Sequence, residues 1–500
     1  MSRAAGARRV AAALAAAVVL SGTLAACGSV SVSSVDEPAD FDTPMPVPPL
    51  APSAVAPDGT RVFSLTAQEG TTQFLDGVDT PTWGFDGDLL GPTLRASRGE
   101  QVAVQVRNEL PEPTSVHWHG MHLPAAMDGG PHQEVEPGAT WRPTWRVDQP
   151  AATLWYHPHP HGRTEEHVYK GLAGFFLLDD PDAPDVGLPQ EYGVDDVPVV
   201  VQDRDVAADG TLTTERAEVG ILGSVVTANG VRGAHVPVTT EHVRLRLLNG
   251  STARTYAFGF ADDRTFTQVA SDGGLLEAPV PTTRVQLSPG ERAEVVVAMA
   301  PGERVRLRSF RPDLGRIAAG FAAGANDEFD VLELRAAATL EPSPEVAGAL
   351  TALEPLRAED ATVTRTFTVS GREINGRRMA MDRIDATVER GATEVWEVRN
   401  LDLVPHNLHV HDVQFRVADI DGEAPPPPLA GAKDTVYLEP QRTYRLVMRF
   451  DDYADPDTPY MVHCHLLLHE DEGLMAQFVV VEPGDEAARV PGSGAGHHHG

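Results

Sequence analysis

Three times along this chain an alternating apolar–polar run ends on an asparagine. The runs are Glu100 to Asn108 (EQVAVQVRN), Glu241 to Asn249 (EHVRLRLLN) and Thr393 to Asn400 (TEVWEVRN). Period-two alternation is the signature of a strand with one face in a core. A second run follows each. Pro137-Gly138 precedes TWRPTWRV (140–147), Pro289-Gly290 precedes AEVVVA (293–298), and Pro440-Gln441 precedes TYRLVMRF (443–450). A two-strand unit recurring roughly every 150 residues, with Gly and Pro at its turns, predicts tandem β-sandwich domains. Helical periodicity is scarce beyond the first 27 residues. Domains are expected at 56–180, 197–335 and 361–482. The segments Pro181–Asp196 and Ala336–Asp360, rich in Pro, Ala and acidic residues, are the expected linkers.

Histidine is concentrated in two of the three units. The first carries His117-Trp118-His119 and His157-Pro158-His159-Pro160-His161. The third carries His406-Asn407-Leu408-His409-Val410-His411 and His463-Cys464-His465, followed by His469. Imidazole and thiolate are the ligands of copper, zinc and iron. A His-x-His pair on a strand aims both rings at one face. Three clusters therefore offer a two-pronged ligand, and the fourth brackets a thiolate with one. Several metals sharing a site, with a cysteine wired into it, is the arrangement implied. After Asn249 the middle unit reads GSTARTYAF without histidine. It is expected to be structural, holding its neighbours so that their ligands converge.

All four clusters, in this order and with these internal spacings, resemble the signatures of the three-domain multicopper oxidases, and the likeness spans about residues 55–482. The resemblance implies an all-β chain of three tandem cupredoxin-like Greek-key sandwiches that oxidises phenols or aromatic amines one electron at a time. It implies four copper ions, with dioxygen as the electron acceptor, reduced to water. A type 1 copper would be held by His406, Cys464 and His469. A type 2 copper would take His117 and His409, and a type 3 pair would take His119, His157, His159, His411, His463 and His465. Asp128 and Glu470 fall where the family places proton-relay acids, and Asp402 is placed to contact a donor near the type 1 copper. His161 is expected to hydrogen-bond around the site. Ten residues after Cys464, where many relatives carry an axial methionine, stands Leu474, with Met475 one further on. The first rival function is a Cu(I) or Mn(II) metallo-oxidase. The chain has ten methionines and only Met379 and Met381 as a close pair, where the copper-efflux oxidases carry methionine-rich segments. A second rival is a copper-free division protein of the same fold; those have lost ligands that this chain keeps.

A formal net charge of −32 argues against nucleic acid or an anionic membrane surface as partner. Lys170 and Lys433 are the only lysines, which reads as codon bias. At the start, Arg3, Arg8 and Arg9 precede an apolar run, Val10 to Leu20, too short to span a bilayer. Leu24-Ala25-Ala26-Cys27 then resembles a bacterial lipobox. Residues 1–27 therefore read as a lipoprotein signal, and lipidation of Cys27 would hold an exported monomer to the outer face of the cytoplasmic membrane. Residues 28–55 are expected to be a flexible tether reaching roughly 30 Å, and 483–500 a disordered tail whose His497–His499 have no assigned role. With Cys27 lipidated, Cys464 has no disulfide partner, which favours a metal-ligand role.

Overall fold

The computed structural model describes residues 40–487, apart from 318, 319 and 354, together with Val35 and Pro38. The proposed signal, Cys27 and His497–His499 lie outside the described residues. Among those described, six β-sheets form three sandwiches. Among the described residues there are two α-helices, Thr164–Lys170 and Leu467–Asp471. No helix there is long and apolar enough to cross a membrane.

The two recurring sequence runs are hydrogen-bonded neighbours in every copy. Gln101–Asn108 pairs antiparallel with Thr140–Trp141 and Thr144–Arg146, His242–Asn249 with Arg292–Ala298, and Thr393–Asn400 with Thr443–Arg449. On its other side each lies parallel to the opening strand of its sandwich: Arg61–Leu75, Asp196–Arg204 and Val363–Ser370. The terminal asparagine has the same task each time. Asn108 Nδ2 donates to the Glu112 and Val135 carbonyls, Asn249 Nδ2 to those of Arg254 and Leu287, and Asn400 Nδ2 to those of Val404 and Leu438. Their Oδ1 atoms accept from the amides of Leu110, Ser251 and Asp402. A buried asparagine thus satisfies three backbone groups where the chain leaves the sheet.

Alternation decides what fills each core. Phe63, Val104, Leu154 and Phe176 meet in the first sandwich, Val199, Leu245, Phe258 and Leu332 in the middle one, and Phe367, Trp396, Leu446 and Phe478 in the third. The same alternation sets the histidines. In the first sandwich Trp118 and Tyr156 point into the core, so His117, His119 and His157 point out of it; His157 lies directly across from His117. In the third, Leu408, Val410 and Val462 are core residues and His409 lies across from His463. Two outward-facing histidine pairs therefore occupy corresponding places in two sandwiches.

The expected tether is anchored where it is described. Thr43–Pro44 runs parallel to Ala234–His235, Phe41 and Met45 are buried, and Ser53–Val55 pairs with Arg61–Phe63. Proline-rich composition reads as a linker, but two apolar side chains and free main-chain groups between the prolines suffice to dock it. The linkers are likewise not loose. Strand Phe329–Glu341 continues past residue 335 beside Val238 and Thr240, and Val186, Leu188 and Leu350 pack on Val269 and Val296 of the middle sandwich.

Candidate functional site

Eleven ligand-type side chains, every one of them expected from the sequence, gather into two neighbouring groups, each at most 1% exposed. The smaller group is His406, Cys464 and His469. His406 lies on the core side of its strand with Leu408 and Val410, and Cys464 on the core side with Val462. The larger group lies on the opposite face, where the first and third sandwiches meet. It comprises His117, His119, His157 and His159 from one and His409, His411, His463 and His465 from the other. A step of one residue along a strand reverses the face. The strand ends at His463 and the alternation carries on just past it, with Cys464 in the smaller group and His463 and His465 in the larger.

Hydrogen bonding fixes which ring nitrogen faces inward. A carbonyl oxygen only accepts, so a ring nitrogen bonded to one carries the proton and the opposite nitrogen presents a bare lone pair. His117 Nδ1 donates to the Asp128 carbonyl at 3.0 Å and His409 Nδ1 to the Asp434 carbonyl at 2.9 Å. Their Nε2 atoms then face each other, 3.3 Å apart, with no proton between them. His157 Nδ1 donates to the Pro158 carbonyl and His463 Nδ1 to that of Cys464. His411 Nδ1 donates to Asp128 Oδ2 at 2.6 Å. The Nε2 of His463 consequently faces those of His411 at 3.2 Å and His159 at 3.3 Å. His119 is turned round: its Nε2 donates to Asp434 Oδ1 at 2.9 Å, leaving Nδ1 to face His157 Nε2. Lone pairs aimed at one another in a dry site repel unless a cation sits among them.

The smaller group obeys the same rule. His469 Nε2 donates to the Glu218 carbonyl and His406 Nε2 to Asp402 Oδ2, both at 2.9 Å. The two Nδ1 atoms lie 3.0 Å apart and 3.6–3.7 Å from Cys464 Sγ. Burial pushes the thiol up to about 12, so the thiolate exists at neutral pH only beside a metal cation. One thiolate and two imidazoles suit a blue-copper ion. The donor sets of both groups fit copper.

The carboxylates expected from sequence are at the site. Asp128 closes the turn Ala125–Met127 with its Oδ1 3.2 Å from His117 Nδ1. The next residue must be glycine: Gly129 has φ +78°, and a Cβ there would lie 1.7 Å from the Val116 oxygen. Glu470 is buried 3.3 Å from His159 Nδ1 and 3.1 Å from His463 Nδ1. Asp402 accepts from Ser370, Gly371 and His406, and its side chain stays 21% exposed. His161 is exposed and lies outside the buried cluster, because the chain turns to the surface after Pro160.

The keystone was not legible from motifs. Asp434 holds His119 through its carboxylate and His409 through its carbonyl, and is itself gripped by Arg292 at 2.6 and 2.7 Å. Arg292 uses all five N–H donors: two on Asp434, and the others on the carbonyls of Thr153, Gly290 and Asp272. Beside it Lys433 pairs with Asp272 and Glu291 at 2.9 and 3.0 Å. Burial opposes the charge on Arg292 and Lys433, but their carboxylate partners outweigh it and raise both. The middle sandwich therefore contributes directly to ligand placement. Lys433, one of only two lysines beside 38 arginines, is the one oddity of composition at this place, and from sequence it reads as codon bias.

The comparisons agree with this geometry. Multicopper oxidase family models match residues 66–183 and 352–484. The multicopper oxidase of Staphylococcus haemolyticus is 33% identical over 440 residues, 87% of this chain and 91% of that one. The cell division protein FtsP of Rahnella sp. is 34% identical over 476 residues, 92% and 97% of the two chains. Among solved structures, a laccase from Pediococcus acidilactici has a TM-score of 0.81 at 33% identity, covering 90% of this chain and 95% of that one. The chain belongs to the multicopper oxidase family, a group of copper-binding oxidoreductases that use dioxygen and an electron donor.

The buried imidazoles give the copper-free protein a defined acid sensitivity. Burial holds His159 down at about 4 and His465 at about 3, with His119, His157, His409 and His411 also well below the ordinary range. The unfolded chain takes up protons near 6.5 while the folded one does not. Stability from these groups is thus complete above about pH 6.5 and falls as pH drops towards about 4. Thermal melts of copper-free protein from pH 8 to 4 should show a steep loss across that window. A flat profile would contradict the neutral, inward-facing arrangement.

Proposed function

We propose that this chain is a laccase-like enzyme that couples one-electron oxidation of phenols or aromatic amines to four-electron reduction of dioxygen to water. One copper would be held by His406, Cys464 and His469, and three by the eight histidines between the sandwiches. When bound, these ions supply electron storage and the site of dioxygen reduction. The observation that carries the reading is the tripeptide His463-Cys464-His465, whose alternating side chains join the two groups by a covalent path. A division-protein role without copper is disfavoured because every expected ligand position is filled and buried.

The residues around the groups support the remaining steps. Asp128 is placed to take up a proton at Oδ1, the oxygen left without a hydrogen bond while Oδ2 accepts from His411 Nδ1. Glu470 is placed to do so between His159 and His463. Positioned carboxylates of this kind deliver protons that a buried oxygen-reducing centre cannot take from water. Outside the smaller group, Leu401 and Leu403 flank Asp402 at 55% and 47% exposure, an apolar rim suited to an aromatic donor. Met379 and Met381 are half-buried in a loop whose main chain bonds Gly473 and Gln477, which offers little to a cuprous ion. We further propose that Cys27 anchors the exported chain; a Cys27→Ala variant should leave the membrane fraction, and unchanged fractionation would rule the anchor out.

Leu474 is placed on the Cys464 side. It packs in the apolar cluster containing Cys464, Leu466, Ala476 and Phe478, whereas Met475 is buried outside that cluster. A leucine there donates nothing to copper, which favours Cu(I) and a high potential. Steady-state oxidation of a phenolic dye, bilirubin, Cu(I) and Mn(II) by copper-loaded protein should favour the organic donors. Preference for either metal ion would transfer the reading to a metallo-oxidase. Leu474→Met should lower the potential of the blue band and slow the poorest donors most. An unchanged or raised potential would make Met475, rather than Leu474, the residue that would face the copper.

A further inference from the structure

The outer edges of both imidazoles in the His406–Cys464–His469 group are covered, and one tight turn reaches both. The turn joins strands Val363–Ser370 and Glu373–Ile374, with Gly371 at φ +58°. On one side Ser370 Oγ and the Gly371 amide donate to Asp402 at 3.0 and 2.6 Å, and Asp402 accepts from His406 Nε2. On the other side Arg372 Nη2 donates at 3.1 Å to the main-chain carbonyl of Glu218. That oxygen is the one that accepts from His469 Nε2. Arg372 also meets the Glu218 carboxylate at 3.3 Å and Glu472 at 2.5 Å, and its side chain is only 12% exposed.

Glu218 belongs to the segment following the strand Asp196–Arg204 of the middle sandwich, so the guanidinium ties one sandwich over a ligand ring of another. We infer that Arg372 is a positioning residue that latches the Glu218 segment over His469 and keeps a cation beside the His406–Cys464–His469 group. A fixed positive charge near a metal disfavours its more highly charged state, so Arg372 raises the potential of a copper held there. It also makes the donor deliver its electron across a hydrogen-bonded shell, since neither ring edge is open to contact. The part concerning the potential rests on the proposed oxidase reading; the latch itself does not.

Two variants of the full chain separate charge from grip. Arg372→Gln removes the cation, and Arg372→Lys keeps it without the planar fork that spans Glu218 and Glu472. Hydrogen exchange of the backbone over residues 216–222, measured on copper-free protein, should quicken roughly tenfold in both variants as a charge-assisted bond is lost. Redox titration of the blue band in copper-loaded protein should give a lower potential for Arg372→Gln, largely restored in Arg372→Lys. Unaltered exchange in both variants would overturn the latch. Equal potentials in the two variants would overturn the electrostatic role. Copper-loaded wild-type protein without a blue band would instead refute the oxidase reading, leaving the exchange result to decide the latch alone.

Discussion

Everything at the copper-ligand cluster depends on the contact between Arg292 and Asp434. The guanidinium is fully buried, and its five donors are distributed over carbonyls of the first and middle sandwiches and a carboxylate of the third. A buried ion pair is stable only when every remaining donor and acceptor is also satisfied. Here that condition can be met only with the three sandwiches in their observed places. The other face of Asp434 then orients His119 and His409, so docking and ligand geometry become one event. Even the repeated Pro-Gly turn of the middle copy takes part: a Cβ on Gly290 would lie 3.1 Å from the His465 ring.

Strand geometry supplies the second constraint. Ligands for two different kinds of site are written on the same two segments, 406–411 and 463–469. They separate because neighbours on a strand face opposite ways. His406 and Cys464 lie with the third core, while His409, His411, His463 and His465 face the first sandwich. Two sites can then sit close together without sharing a ligand, with the Cys464 backbone between them.

That division also explains what the sequence disclosed. The His-x-His spacing, the lone cysteine and the asparagine-closed strands are local patterns, and each local pattern has a direct consequence in the fold. The all-β architecture, the gathering of the eleven histidine and cysteine side chains and the place of Asp128 were legible for that reason. Asp434, Arg292, Lys433, Glu218 and Arg372 act through partners up to hundreds of residues away and carry no motif. The docking of Phe41 and Met45 was hidden by proline-rich surroundings. Asp402 was recognised, but its partners Ser370 and Gly371, which hold it onto His406, are invisible to any spacing rule.

Alternation around Cys464 keeps the His406–Cys464–His469 group distinct from the eight-histidine cluster yet joined to it, and under the proposed function the first would hold one copper and the second three. Copper content and the visible spectrum of a Cys464→Ser variant test it most directly. The account predicts three coppers per chain, with the intense blue band gone and the histidine cluster still loaded. Retention of four coppers with the blue band, or loss of copper from both groups together, would contradict it.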